Sequence, residues 1–124
     1  MTAKSIDRTP IKIAVASSDG KFVDRHFGAA HQFVIFEYDG KGFTFLELRK
    51  SPPICRGDHH DDDELARTAQ LIGDCSYVIA NRVGPRAIPS LLAKGIRAYM
   101  DADVVESSLE KLKATGKLRH VLKR

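Results

Sequence analysis

Apolar and polar residues along the chain switch between two periods, and the switches predict a series of strands and helices. "IKIAVAS" (11–17) alternates, yet it is apolar on both faces, as expected for a central strand covered on both sides. "QFVIFEY" (32–38) is aromatic and β-branched, and "DGKG" (39–42) reads as a hairpin turn from which "FTFLELRK" (43–50) returns antiparallel. The period then lengthens. In "DDELARTAQLIG", Leu65, Ala69 and Ile72 recur at helical spacing, Gly73 lies just past the end, and the carboxylates of Asp61, Asp62 and Asp63 suit a helix N-terminus. "YVIA" (77–80) is a short buried strand. Pro89 fits the first turn of a helix in "PSLLAK", which Gly95 ends, and "IRAYM" (96–100) is a further strand. Asp103 with Glu106 resembles a capping box for a helix striped by Val105, Leu109 and Leu112 and stopped at Gly116.

The resulting order is β-β-β-α-β-α-β-α. It predicts an α/β fold, a mixed sheet with helices on both faces, in one domain spanning 11–116. Residues 1–10 read as a disordered lead and 117–124 as a basic tail. In such sheets ligands gather beyond the carboxyl ends of the parallel strands. Two loops meet that description, Ser17 to Gly28 and Asn81 to Pro85.

Composition narrows the class without naming a chemistry. The chain has 124 residues, 43% hydrophobic and 29% charged, enough to bury a core without a disulfide staple. No apolar run approaches the ~20 residues of a membrane span. "MTAKSIDRTP" has no signal-peptide pattern, so cytoplasm is the expected compartment and no membrane partner is expected. The net charge of +4 is mild and lies largely in "KATGKLRHVLKR"; no aromatic residues interleave with it to stack bases, which argues against a nucleic-acid partner. Nucleophilic catalysis has little support, since there is no GxSxG, HExxH or P-loop motif.

The candidate chemistry lies in the loops. His26, in "VDRHFGAAHQF", falls at the rim between a turn and Gly28, which lets the backbone approach a bulky ligand; Phe27 is expected to plug into the core and leave the imidazole outside. A lone loop histidine is as often surface decoration, and position is what argues for function; neutral imidazole is a good ligand for iron and other borderline metals. Cys55 follows "SPP" on a polar connection, where Arg56 favours its thiolate; the alternative is an incidental surface cysteine. His59 and His60 follow Cys55 at a possible metal spacing, although the set is not a zinc-finger signature and a solvated loop feeding a helix cap is the favoured reading. Cys75, before the fourth strand, reads as core, so the two cysteines should not meet. A conventional iron–sulfur site uses four thiolates, which this chain cannot supply; a cluster would have to arrive assembled or be shared between chains.

Three segments, "IAVASSDGKFVDRHFGAAHQFVIFEYDG", "KSPPIC" and "DCSYVIANRVGPRA", closely resemble the nitrogenase-cofactor-binding family of NifX, NifY and NafY type carriers and the C-terminal domain of NifB. The resemblance runs from about Ile11 to about Met100. It implies a ribonuclease-H-like fold with a five-stranded mixed sheet. It also implies binding of the iron–molybdenum cofactor, its iron–sulfur precursor or another metal–sulfur cluster, delivered to an assembly scaffold or recipient apo-protein. The family's cluster-binding histidine matches His26 and the cysteine of its proline-rich loop matches Cys55; His59 and His60 stand where NifB-like sequences often have further cysteines. The CxxxCxxC motif of the radical-SAM half of NifB is absent, so a carrier rather than an enzyme is implied. Backbone N–H groups of Ser17, Ser18, Asp19 and Gly20, with those of Asn81, Arg82 and Gly84, are expected to cradle cluster sulfides, and Arg25 or Arg82 to offset negative charge. A monomer or weak homodimer is expected. Two other readings compete: a cofactor-free regulatory or interaction module, and a metal-dependent nuclease using Asp19, Asp24 and Asp101.

Overall fold

The strand that is apolar on both faces takes the middle of the sheet. In the computed structural model, which describes residues 11–50, 61–116 and 118, β1 (Ile11–Ala16) lies between β2 (Gln32–Tyr38), to which it is antiparallel, and β4 (Tyr77–Ala80), to which it is parallel. β3 (Phe43–Lys50) extends β2 antiparallel and β5 (Arg97–Met100) extends β4 in parallel, so the order is β3-β2-β1-β4-β5. The helices are α1 (Asp61–Leu71), α2 (Ala87–Ala93) and α3 (Val105–Ala114). The five-stranded mixed α/β sheet and the element order agree with the sequence reading.

Each sheet face carries its own core. Ala14, Ala16, Phe33, Ile35, Val78 and Ala80 pack with Ala69 and Ile72 at α1 and with Ala87 and Leu91 of α2. On the opposite face Ile13, Val15, Val34, Tyr77 and Ile79 pack with Val105, Leu109 and Leu112 of α3 and with Leu118. Alternation along β1 thus sends alanines to the two-helix face and branched residues to the single-helix face. Small side chains let a helical layer come close, and large ones fill the space beneath a lone helix.

Three local details depart from the sequence reading. The expected capping box does not form. Asp103 accepts the adjacent Val104 N–H at 2.6 Å and pairs with Lys111 at 2.9 Å. The first N–H of α3, from Val105, donates instead to the Lys21 carbonyl at 2.8 Å, a tertiary partner that local spacing does not reveal. α2 starts at Ala87, two residues ahead of Pro89, which still sits in the first turn where its missing N–H is harmless. β3 carries a bulge, since Ile35 pairs with Glu47 but Phe36 pairs with Phe45. The extra residue turns Phe43, Phe45 and Leu48 to the α3 face and Glu47 and Arg49 to the other.

That register lets Arg49 close the lower edge of the sheet. Its guanidinium donates to Asp74 at 2.6 Å and 3.0 Å, to Glu47 and to the Leu71 carbonyl, while Lys12 reaches Asp74 at 3.1 Å. The Arg49 hydrogen bonds hold the Asp74 carboxyl far below the usual carboxylate range. Because the folded pKa is depressed, the clamp stabilises fully above the ordinary value of 3.8, and the contribution is lost as pH falls through and below it. Asp74 is 46% exposed, so screening discounts the pair to about 1 kcal/mol. Asp74→Asn is expected to lower stability to urea by that amount at pH 7, with the gap to wild type closing as pH falls below 3.8.

A second expectation concerns α3, the single cover of its face among the described helices. Leu112→Ala, at a site with no exposure, should cost about 2–5 kcal/mol. Leu92→Ala, at a side chain 56% exposed, should stay within about 0.5 kcal/mol in the same denaturation series.

Candidate functional site at the carboxyl ends of β1 and β4

The chain leaving β1 is tied down by its own short polar side chains. Ser17 is fully buried; its hydroxyl accepts the Gly20 N–H at 2.8 Å and donates to Asp19 at 3.3 Å. Asp19 accepts the N–H groups of Lys21 at 2.8 Å and Phe22 at 3.1 Å, and these bonds hold its carboxyl below the usual range. Gly20 has φ +78°, which only glycine adopts without strain, and this closes the turn. Ser18 donates both its N–H, at 2.9 Å, and its hydroxyl, at 2.6 Å, to Asp24. Burial alone would raise the Asp24 pKa, but the two Ser18 bonds outweigh it and lower it. Gln32, at the start of β2, donates to the carbonyls of Ser17 at 3.0 Å and Ser18 at 3.1 Å.

This geometry bears on one sequence expectation, because two of the N–H groups expected to face a cluster, those of Ser18 and Gly20, are already taken. The N–H groups of Ser18, Gly20, Lys21 and Phe22 are engaged inside the turn, and Ser17 is inaccessible. The "SSDG" segment thus scaffolds the loop, with the Ser17 hydroxyl and the Lys21 and Phe22 N–H groups all gathered on one oxygen of the Asp19 carboxylate. The carboxylates proposed for two-metal catalysis are similarly committed: Asp24 to Ser18, Asp19 to the turn, and Asp101 to the Ser108 hydroxyl at 2.7 Å and to Lys111. Among the described residues no group of three His, Cys, Asp or Glu side chains converges.

Further along, the same loop is stitched to the end of β4. Asn81 donates its N–H to the Arg25 carbonyl at 3.0 Å, and Phe27 donates its N–H to the Arg82 carbonyl at 2.9 Å. His26 and Arg82 thus form a parallel bridge. Phe27 is fully buried and tilts against Phe33 with ring centres 6.0 Å apart, anchoring a 3₁₀ turn over Phe27–Ala29. His26 itself is exposed, as are Arg25, Gly28, Arg82 and Gly84. Gly84 has open space where a Cβ would stand, and its carbonyl accepts the Ala87 N–H at the start of α2.

The rim therefore brings together His26, Arg25, Gly28, Asn81 and Arg82. The carboxamide oxygen of Asn81 is buried there and has no hydrogen-bond partner among the described residues. Cys55, His59 and His60 lie outside the described residues. Cys75 is buried just before β4, at the end of the strand opposite the rim. Burial, with the nearby Asp74 charge, pushes its thiol up to about 12, so it is no candidate ligand. Sequence reading missed the roles of Asp24 and Gln32 as anchors of the turn. Only their partners, six and fourteen to fifteen residues away, disclose them.

A family model described as dinitrogenase iron-molybdenum cofactor matches residues 9–115. The chain is 31% identical over 110 residues to the FeMo cofactor biosynthesis protein NifB of Sinorhizobium fredii, covering 87% of this chain and 22% of that protein. It is 31% identical over 91 residues to Protein NifX of Azotobacter vinelandii, covering 73% of this chain and 56% of that protein. The chain thus spans about a fifth of the first relative and just over half of the second. The fold is shared with the apo form of the orange protein from Desulfovibrio gigas, at TM-score 0.64 and 21% identity, covering 84% of this chain and 88% of that one. With the family model spanning all five strands and all three described helices, the chain belongs to the dinitrogenase iron-molybdenum cofactor family.

Proposed function

We propose that residues 11–116 form one binding domain that accepts a preassembled metal–sulfur cluster and passes it on, as a carrier rather than an enzyme. The cargo is the iron–molybdenum cofactor, its iron–sulfur precursor or a related metal–sulfur cluster, and the counterpart is an assembly scaffold or a recipient apo-protein in the cytoplasm. The names of the relatives support that setting, and the sheet order β3-β2-β1-β4-β5 supports the ribonuclease-H-like label.

The observation that carries the reading is the position of His26, exposed where two loops meet beyond the carboxyl ends of parallel strands. Its backbone is fixed by bonds on both sides, while its ring is free to turn toward solvent. Arg25 and Arg82 flank it and would offset the charge of an anionic cargo. With the Ser18 and Gly20 N–H groups engaged inside the turn, the grip rests chiefly on side chains. Cys55 enters as a second ligand, with His59 and His60 beside it, from sequence alone. A hold by one or two side chains leaves most cluster positions open and suits a protein that must release what it carries.

Cargo-free protein incubated anaerobically with isolated iron–molybdenum cofactor is expected to co-elute with iron, molybdenum and visible absorption on gel filtration. His26→Ala should lower the retained metal by at least the roughly 10-fold that even outer-shell losses cost, with an unchanged melting temperature because the side chain is exposed. Failure of the metal to co-elute with wild type, or equal retention by His26→Ala, would overturn the proposal.

A further inference from the structure

The α3 face of the sheet is only half covered. α3 lies over β1 and β4, and between its first two turns and the outer strands runs an open groove of about 520 Å³. Phe36 and Phe43 form its floor, and Phe22 and Val104 wall one end. Phe22, half exposed at 50%, and Val104 are joined by an isolated backbone bridge, so this wall is held in place. The apolar surface continues past the groove. Phe45 sets its ring edge against Phe36 with centres 6.2 Å apart, and the β3 bulge turns Leu48 to the same face; the two are 55% and 47% exposed. Adjoining exposed apolar side chains of this kind are what interaction surfaces are made of.

Its charges select the occupant. The charged lining is Glu106 and Glu110, one turn apart and both exposed, with Lys21 at the Phe22 end. Neither carboxylate is ion-paired among the described residues. This acidic wall stands on a chain of net charge +4. Phosphate-bearing surfaces, whether nucleic acid or anionic lipid, are disfavoured beside it. A two-fold contact with a second copy would offer the two carboxylates of each groove only the single Lys21 of its mate's lining, leaving an acidic excess. We propose that the groove docks a segment of a partner protein that presents an apolar face flanked by Lys or Arg. Apolar side chains would seat against Phe22, Phe36 and Phe43, and the cations would meet Glu106 and Glu110. The extent of the shelf beyond the groove fits a polypeptide better than a small molecule. The inference stands apart from the carrier reading, although Phe22 lies four residues before His26 on one loop and a docked partner would be seated next to the rim.

The test uses the full chain without cargo, so its outcome is independent of cluster binding. Isotope-labelled protein is titrated with a synthetic 18-residue amphipathic helix of Leu and Lys, and separately with its Leu and Glu counterpart. The Leu/Lys peptide is expected to shift the amides of Phe22, Val104, Glu106 and Glu110. The double variant Glu106→Lys, Glu110→Lys should weaken it by roughly 10-fold while keeping the folded spectrum, with only a small loss of melting temperature because Glu106 stands in the first turn of α3. Shifts centred elsewhere, equal affinity for the Leu/Glu peptide, or no effect of charge reversal would overturn the proposal. So would sedimentation showing self-association that the double variant abolishes, because the occupant would then be a second copy. Groove amides that move when residues 119–124 are removed would likewise overturn it, in favour of the chain's own basic end.

Discussion

Two backbone hydrogen bonds, from Asn81 N–H to the Arg25 carbonyl and from Phe27 N–H to the Arg82 carbonyl, hold the loop after β1 against the end of β4. Without them the loop from Ser17 to Gly28 would be a solvated excursion, and His26 would have no fixed address. The bonds are possible because Phe27 is buried: an aromatic ring with no exposure and a partner in Phe33 sets the depth of the chain there. The ring thus anchors the chain energetically, while the two N–H groups set its direction. An exposed imidazole and two exposed guanidinium groups follow from that pairing as geometry, with no further device.

The same loop is fastened at a second place. Val23 is buried and donates its N–H to the Asp103 carbonyl, while Lys21 accepts the first N–H of α3. One segment of a dozen residues therefore joins β1, the end of β4 and the start of α3. Each attachment uses a backbone group that would otherwise be unsatisfied at the end of a strand or a helix. Polar side chains within the segment, Ser17, Asp19 and Asp24, serve the N–H groups that face inward. This division of labour commits the N–H groups of Ser18, Gly20, Lys21 and Phe22 to the rigidity of the loop itself.

Most of the fold was legible in the sequence because strand burial and helix stripes are short-range patterns. The spans 32–38, 43–50 and 77–80 coincide with β2, β3 and β4, and the stripe Val105, Leu109, Leu112 is the buried face of α3. What was not legible depends on partners far along the chain. Asp103 and Glu106 have capping-box spacing, but the Lys21 carbonyl takes the N–H that such a box leaves open. The β3 bulge cannot be seen in "FTFLELRK" alone. It follows from satisfying two demands at once, apolar contact for Phe45 with Phe36 and an ion pair for Arg49 with Asp74. At the rim, the exposure of His26 and burial of Phe27 were readable from position beside Gly28, whereas the engagement of the Ser18 and Gly20 amides was not, because their acceptors Asp24 and Ser17 looked equally available for other chemistry.

The bulge has a consequence for the opposite face. By sending Glu47 and Arg49 toward α1, it leaves the α3 side of β3 with Phe43, Phe45 and Leu48, and with Lys50 as its one charge at the far end of the strand. An edge strand usually carries charge on its exposed face to discourage unwanted pairing. Here the charges have moved to the clamp at Asp74, and the apolar remainder borders a groove whose other wall bears two carboxylates. Stability on one face of this edge strand and accessibility on the other thus have a common origin in one inserted residue. That coupling accounts for an apolar surface persisting outside the core of a domain whose remaining large side chains are almost all enclosed.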